Sequence, residues 1–499
     1  MADVSIPKTV TSFINGEWAK ARDGAHEIPI VFPGDERQIS TLIEADADEV
    51  DRAIQAARNA FEEGKWSKAS IEDRKRVLLR IRDLIQAHAD ELAHCEVRHT
   101  GVPISQVRGR HIMRSAMNFE FFAEFISQAS APVFDQNPDF LTWVRREPAG
   151  VAGLIAPWNA PLALASMKLA GAIAFGNSCV LKPSEMTPLS FVKLMDIIRE
   201  AGVPDGVVNL VNGRGPLTGA ALVDHPDVNV IAFTGGTATG RQIGARAGRG
   251  LKKVVTELGG KSANIVFADA NLERALDAAL VAIFSNNGQQ CLAGSRILLQ
   301  RSIADEFTEK FVTRARNLRI GDPFDTTTEI GPLISAGQRD RVLGHAAAAR
   351  KSSDIEVLHG GKPWAGAERG FFVEPTIVRA ASNSLPVCQE EIFGPFATIL
   401  TFDDFDEAMD VANDSEFGLV SYVWSRDMET IMAATEALRA GVVWVNTPLM
   451  RELRAPFGGY KNSGVGRDGG EWSRALFTEE KTITLPRRDF PIAKLGTRD

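Results

Sequence analysis

From residue 148 onward, short apolar runs alternate with helical stretches, and no other pattern in the chain restricts its fold as much. The runs fall at 151–156 (VAGLIA), 178–181 (SCVL), 207–211 (VVNLV), 228–233 (VNVIAF) and 252–256 (KKVVT). One intervening helix is opened by Thr187-Pro188 and closed near Gly202. Repeated strand–helix–strand units of this spacing predict a parallel, doubly wound sheet, whose ligands sit at the carboxyl ends of its strands. A second series starts at Ala263–Phe267, passes through a helix from about Asn271 to Asn286 and the strand-like 296–300 (RILLQ), and continues past residue 440. A boundary near Gly259-Gly260 therefore separates two α/β units.

Two amphipathic helices precede the alternation. Val50, Ala53, Ile54, Ala57 and Phe61 share one face, with Gly64 as a stop. Ser70 with Asp73 three residues on opens a second helix, whose apolar face runs through Val77, Leu78, Ile81, Leu84 and Ile85 towards an end at Gly101. The segment 139–148 (DFLTWVRREP) and the tail after Glu479 fit neither series and are expected to form an arm.

At 499 residues the chain is expected to divide into two or three domains. A net charge of −8 without basic clusters speaks against a nucleic-acid partner. The most apolar stretch, Val151 to Cys179, is broken by Pro157, Asn159, Pro161 and Lys168, so no membrane span is expected, and the N-terminus has no apolar signal core. Four scattered cysteines (Cys95, Cys179, Cys291, Cys388) fit a reducing compartment, with the cytoplasm as the expectation. The eight histidines show no ligand spacing, and no metal is expected.

The chemistry-bearing residues fall where such sheets bind ligands. Cys291 lies in NNGQQCLAG (286–294), a tight loop after a helix that would expose a thiol nucleophile among backbone N–H groups. A free cysteine is also often a small buried hydrophobe. Glu257 ends an apolar strand before two glycines, where burial would raise its pKa and make it a general base, or where it could be a structural acceptor. Asn159 in IAPWNAP (155–161) could donate to an oxyanion or belong to turn chemistry. Lys182 and Glu185 end the next strand with groups suited to a ribose, or to a solvated turn. At 233–240 (FTGGTATG) a strand enters a helix through glycines, as a pyrophosphate site does. The GVGRDG of Gly464, Gly466 and Gly469 matches the dinucleotide fingerprint formally but lacks strand–turn–helix context.

Taken together, these segments resemble the aldehyde dehydrogenase superfamily over essentially the whole chain. The matching pieces, in order, are INGEW (14–18), APWN (156–159), KPSE (182–185), FTGG (233–236), ELGGK (257–261), GQQC (288–291), EEIFGP (390–395) and PFGGYKNSGVGR (456–467). The resemblance implies a Rossmann-like cofactor domain (1–127 and 149–257), a catalytic domain (258–475) and a small β arm (128–148 and 476–499) that pairs subunits into a homo-oligomer, dimer or tetramer. It implies Cys291 as nucleophile, Glu257 as base, and Asn159 with the Cys291 N–H as oxyanion donors. Ala156, Trp158, Lys182, Glu185, Gly215, Gly235, Gly236, Glu391 and Phe393 match cofactor-lining positions. Glu185 would repel the extra phosphate of NADP, so NAD is favoured.

Departures from the common pattern bear on the substrate. Gly236 replaces a frequent serine, Asp468 a glutamate, Met167 a tryptophan, and Ala160 lacks an aromatic ring. The segment 447–457 (TPLMRELRAPF) resembles the branch that oxidises muconic semialdehydes from aromatic-ring degradation. Arg114, Arg451 and Arg454, with Phe457, are thereby expected to line the substrate tunnel and hold a carboxylate, although arginines also form surface ion pairs. Broad oxidation of neutral aldehydes, a CoA-acylating enzyme, a non-catalytic structural homologue and a cofactor-free thiol hydrolase are the alternatives.

Overall fold

A computed structural model describes residues 6–496; the first five and last three residues of the expected terminal segments lie outside the described residues. The first α/β unit is built on an eight-stranded sheet. Its spatial order is Gly464–Val465, Lys253–Glu257, Val230–Thr234, Val151–Ile155, Ser178–Lys182, Val208–Leu210, Phe13–Ile14 and Glu17–Trp18. The five strands from 253–257 to 208–210 are mutually parallel. The chain winds outward from Val151–Ile155 in one direction and then, from Val230–Thr234, in the other. The crevice between those two strands is therefore the switch point, where such sheets bind ligands.

Alternation within the strands puts a core on both faces. Ala152, Leu154, Val230 and Ala232 join one cluster, whereas Val151, Ile155, Ile231 and Phe233 join another. The helix Pro161–Ala174, apolar all round, is buried on every side except at Leu164.

A seven-stranded sheet carries the second unit, in the order Ile355–His359, Thr376–Ala380, Phe396–Phe402, Arg296–Gln300, Ala263–Val266, Val420–Trp424 and Val442–Val445. All but the first of these are parallel to their neighbours. The arm is a three-stranded sheet in which Thr478–Pro486 pairs antiparallel with Phe140–Pro148, and Val133–Phe134 pairs on its other side.

The early helices follow their caps. Helix Ala47–Glu63 ends at Gly64 in a left-handed conformation, and the Ser70 side chain accepts from Asp73 N at the start of Ile71–Ala87. The apolar face expected to run to Gly101 is split at His88, and Gly101 closes a separate helix, Ala89–Thr100. A small N-terminal sheet (Thr9–Val10, Gln38–Ile43, Glu27–Val31) has no counterpart in the expectation.

The stretch 464–475, expected with the catalytic unit, lies against the first sheet: Gly464 and Val465 pair with Glu257 and Thr256, and helix Gly470–Phe477 packs on Pro161–Ala174. A Cβ on Gly464 would stand 2.0 Å from the Thr256 carbonyl, so the glycine serves close strand approach and not a phosphate. Among the described residues no helix is long and apolar enough to cross a membrane.

Candidate active site

Asn159, Gly235 and Glu257 all lie at or just beyond the carboxyl ends of first-sheet strands. Cys291 arrives from the second unit, between helix Leu272–Phe284 and strand Arg296–Gln300. The turn that brings it there holds three successive residues at positive φ: Asn286 (55°), Asn287 (57°) and Gly288 (71°). Asparagine tolerates this region better than other side chains, and here the two are also anchored. Asn287 donates to the carbonyls of Gly101 and Pro332 and accepts from Gly331 N. A Cβ on Gly288 would meet the Gly394 backbone at 2.2 Å, which leaves only glycine there.

The thiol differs from expectation in being half-buried, not exposed. Burial pushes the Cys291 thiol up to about 12, and the nearby Glu391 and Glu257 charges add to the effect; backbone N–H groups of Cys291 and Leu292 oppose it. Glu257 is buried, and neither of its oxygens has a hydrogen-bond partner among the described residues. Desolvation, reinforced by Asp468, raises its carboxyl well above the usual range, as the sequence suggests. Asn159 is buried too, and its Nδ2 donates to the Gln289 carbonyl at 3.0 Å.

Two cavities meet at Cys291. The smaller, about 230 Å³, is lined by Trp158, Gly235, Gly236, Glu391 and Phe393. The larger, about 600 Å³, is lined by Arg110, Arg114, Met167, Arg451 and Phe457. Leu164, Thr234, Glu257 and Leu258 border both, so the thiol and the carboxylate stand at the junction.

The smaller cavity suits a dinucleotide. Helix Thr237–Arg249 begins at Gly236 with no side-chain cap, leaving its first N–H groups free for an anion, and a Cβ on Gly236 would point into open space. Trp158 and Phe393 meet edge to face at 5.2 Å, with Phe393 itself at φ 60°. Glu391 accepts from Gly260 N at 3.0 Å and is raised by burial. Lys182 is buried, its carbonyl accepts from Ala156 N, and its Nζ lies within electrostatic reach of Glu185. Gly215 opens the next helical turn with free space around it. Arg214 is engaged by both oxygens of Glu44, so it is not free to greet a further phosphate.

On the larger cavity the arginine assignment changes in one member. Arg114 and Arg451 are both buried enough to be pushed down to about 10, Arg114 partly by Arg451 itself. The Arg114 Nε donates to Asn118 Oδ1, and the Arg451 guanidinium stacks 4.2 Å from the Phe457 ring centre. Arg454 lies outside: its side chain is 78% exposed and pairs with Glu452. Leu453 between the two arginines is buried, which turns Arg454 away to the surface. Arg110, four residues before Arg114, takes the third place on the cavity wall, at its exposed rim.

Lys168 is the one cation in the helix 161–174; its Nζ pairs with Asp468 at 2.9 Å, and both groups lie within electrostatic reach of Glu257. A charged residue in an otherwise apolar helix is a signal for a buried partner.

A switch-point crevice joined to a tunnel at a cysteine is the arrangement of a dinucleotide-dependent oxidoreductase. The sequence profile of the aldehyde dehydrogenase family matches residues 18–483, and the chain belongs to that family. It is 44% identical over 430 residues to the 5-carboxymethyl-2-hydroxymuconate semialdehyde dehydrogenase of Escherichia coli, covering 85% of this chain and 90% of the relative. Retinal dehydrogenase 2 of Homo sapiens is 39% identical over 475 residues, covering 95% and 91%. The aldehyde dehydrogenase of Bacillus cereus, solved as an NAD+ complex, superposes with a TM-score of 0.93 at 37% identity, covering 96% and 97%. The protein is an oxidoreductase acting on aldehydes.

Proposed function

We propose that the chain oxidises a carboxylate-bearing semialdehyde to the acid, with NAD as acceptor, through a thioester on Cys291. The observation that carries this reading is the junction of two cavities at Cys291 and the unpartnered Glu257. The Cys291 thiol gives up its proton to solvent as its sulfur adds to the aldehyde carbon, and the Asn159 amide and Cys291 N–H receive the resulting alkoxide. NAD held in the smaller cavity would supply the acceptor for the hydride on that carbon, and the thioester would remain on the Cys291 sulfur. Glu257 takes a proton from water as its oxygen attacks the thioester carbon; the acid leaves and the sulfur is regenerated. Trp158, Gly235, Gly236, Glu391 and Phe393 would hold the nicotinamide half, and Ala156, Lys182, Glu185 and Gly215 the adenosine half. The carboxylate of Glu185 favours NAD over NADP. A buried, unpartnered base also speaks against a CoA-acylating enzyme, which needs no activated water.

Arg110, Arg114 and Arg451 leave the tunnel with three guanidinium groups and no carboxylate placed against Arg110 or Arg114 among the described residues. Drawing the Arg114 and Arg451 guanidinium groups out of water in this way is costly unless an anion arrives. A substrate with carboxylates distal to the aldehyde supplies it, in accord with the name of the Escherichia coli relative. A second reading, neutral aldehydes, is favoured by the apolar remainder of the tunnel (Met117, Met167, Leu449). The arm, with Val133, Phe134 and Leu485 exposed, would pair subunits of a homo-oligomer.

Arg114→Ala separates the two readings better than Arg451→Ala, because Arg451 also favours the charged form of Glu257. A charge-assisted pair contributes about 1.5–3 kcal/mol, so kcat/KM for semialdehydes bearing carboxylates is expected to fall roughly 10–100-fold in Arg114→Ala. Neutral aldehydes should change less than about twofold, and Arg454→Ala should leave both classes within about twofold. Equal losses for charged and neutral substrates in Arg114→Ala would sink the carboxylate assignment.

A further inference from the structure

Behind the site lies a buried polar chain that the mechanism above does not use. Glu96, fully buried, accepts at Oε1 from Leu162 N and Ser190 Oγ, each at 3.0 Å. Its Oε2 meets His111 Nδ1 at 2.9 Å, and His111 Nε2 meets Asn286 Oδ1 at 3.0 Å. The Asn286 Nδ2 then donates to two carbonyls, Asn159 O at 2.8 Å and Gln289 O at 2.9 Å. Carbonyls only accept, so the Asn286 amide has one possible orientation, and its Oδ1 must receive the proton of His111 Nε2. The three links made by Asn286 are thereby fixed in direction. The chain ties the first turn of the helix after Asn159, held through Leu162, to the strained turn that delivers Cys291.

The Gln289 carbonyl is the informative member. It accepts from the Asn159 side chain and from the Asn286 side chain at once. For Asn159 to serve an oxyanion on the substrate, its amide has to leave Gln289. A buried carbonyl left without a donor is costly. Asn286 remains as its donor, so the release costs little.

We propose that Glu96, His111 and Asn286 are positioning residues whose task is to keep the Gln289 carbonyl satisfied and thereby free the Asn159 amide for the oxyanion. This rests on the reading of Asn159 as an oxyanion donor. His111 lies in a π-helical turn, Val107–Ile112, a form that recurs at functional sites, and its neighbour Arg110 lines the tunnel.

The test is the rate of the first-turnover NADH burst in Asn286→Gly, a substitution that keeps the left-handed backbone at no steric cost and removes the side chain with its bonds to His111, Asn159 O and Gln289 O. The burst is expected to slow about 30–100-fold, while aldehyde KM and the Kd for NAD stay within about twofold. In an Asn159→Ala background the same change should cost less than about threefold, because the group it acts through is gone. His111→Gln, which retains an N–H facing Asn286, should stay within about fivefold of wild type, with unfolding midpoints recorded for all variants. A wild-type burst in Asn286→Gly, or an equal slowing with and without Asn159, overturns the proposal. Asn159→Ala alone reports on the underlying reading: if its burst is normal, the oxyanion role itself fails.

Discussion

Cys291→Ala is expected to lower aldehyde oxidation by at least about 10⁴-fold while leaving NAD binding and the unfolding midpoint nearly unchanged. The loss is large because no second thiol can substitute: Cys95, Cys179 and Cys388 are all buried away from the two cavities. Stability should barely move, since the removed sulfur is half-buried at a cavity wall and leaves no enclosed void. The raised thiol adds a second readout. With the resting value pushed up to about 12, alkylation of Cys291 in the free enzyme should accelerate steadily as pH rises from 7 to 10, without a plateau. A plateau near pH 7 would show a thiolate already formed at rest. Activity in Cys291→Ala within tenfold of wild type would remove the sulfur from the mechanism.

Glu257→Gln carries the other large effect, on a different step. A general base contributes about 10²–10⁴-fold, so turnover is expected to fall roughly 10³-fold while the first equivalent of NADH still forms. The enzyme should then carry an acyl group on Cys291, visible as a mass increase on the intact chain. In the wild type, base function is lost as pH falls through the raised carboxyl value, so the acid limb of kcat should lie well above 4.5 and vanish in the variant. Stability moves the opposite way. A carboxyl raised in the folded state contributes stability below its unfolded value and loses it as pH rises through the folded one. At pH 8 the Gln variant, which never charges, should therefore unfold at an equal or higher temperature than wild type. A lower midpoint together with an unchanged acid limb would show that Glu257 is only a structural acceptor.

The five parallel strands of the first sheet and the strands 263–266 and 296–300 of the second are legible in the sequence because they are short, largely buried apolar runs separated by helices. The arm is legible only as a misfit, since its partly exposed strands Phe140–Pro148 and Thr478–Pro486 follow no series and gain their identity by pairing with each other. Two-residue strands such as Phe13–Ile14 carry no periodicity at all. Within the site, residues at strand ends announce themselves through the resemblance, and Cys291, Glu257 and Asn159 line one cavity. Arg454 misleads because an R-x-L-R string does not say which arginine the buried leucine turns outward. Lys168 and Asp468 lie 300 positions apart, and only the fold makes them a pair. Glu96, His111 and Asn286 are equally silent, since a hydrogen-bonded chain has no period.

The return of the chain to its first sheet has a consequence during synthesis. Residues 464–465 supply the edge strand beside Lys253–Glu257, and the segment 478–486 completes the arm strand begun at 140. A nascent chain that has emerged only to residue 450 therefore lacks both closures, and the base-bearing strand presents a bare hydrogen-bonding edge to its surroundings. Such contacts of high sequence separation form late. Residues 464–486 thus close both sheets late, and truncations that spare every catalytic group but remove this stretch should accumulate as aggregates.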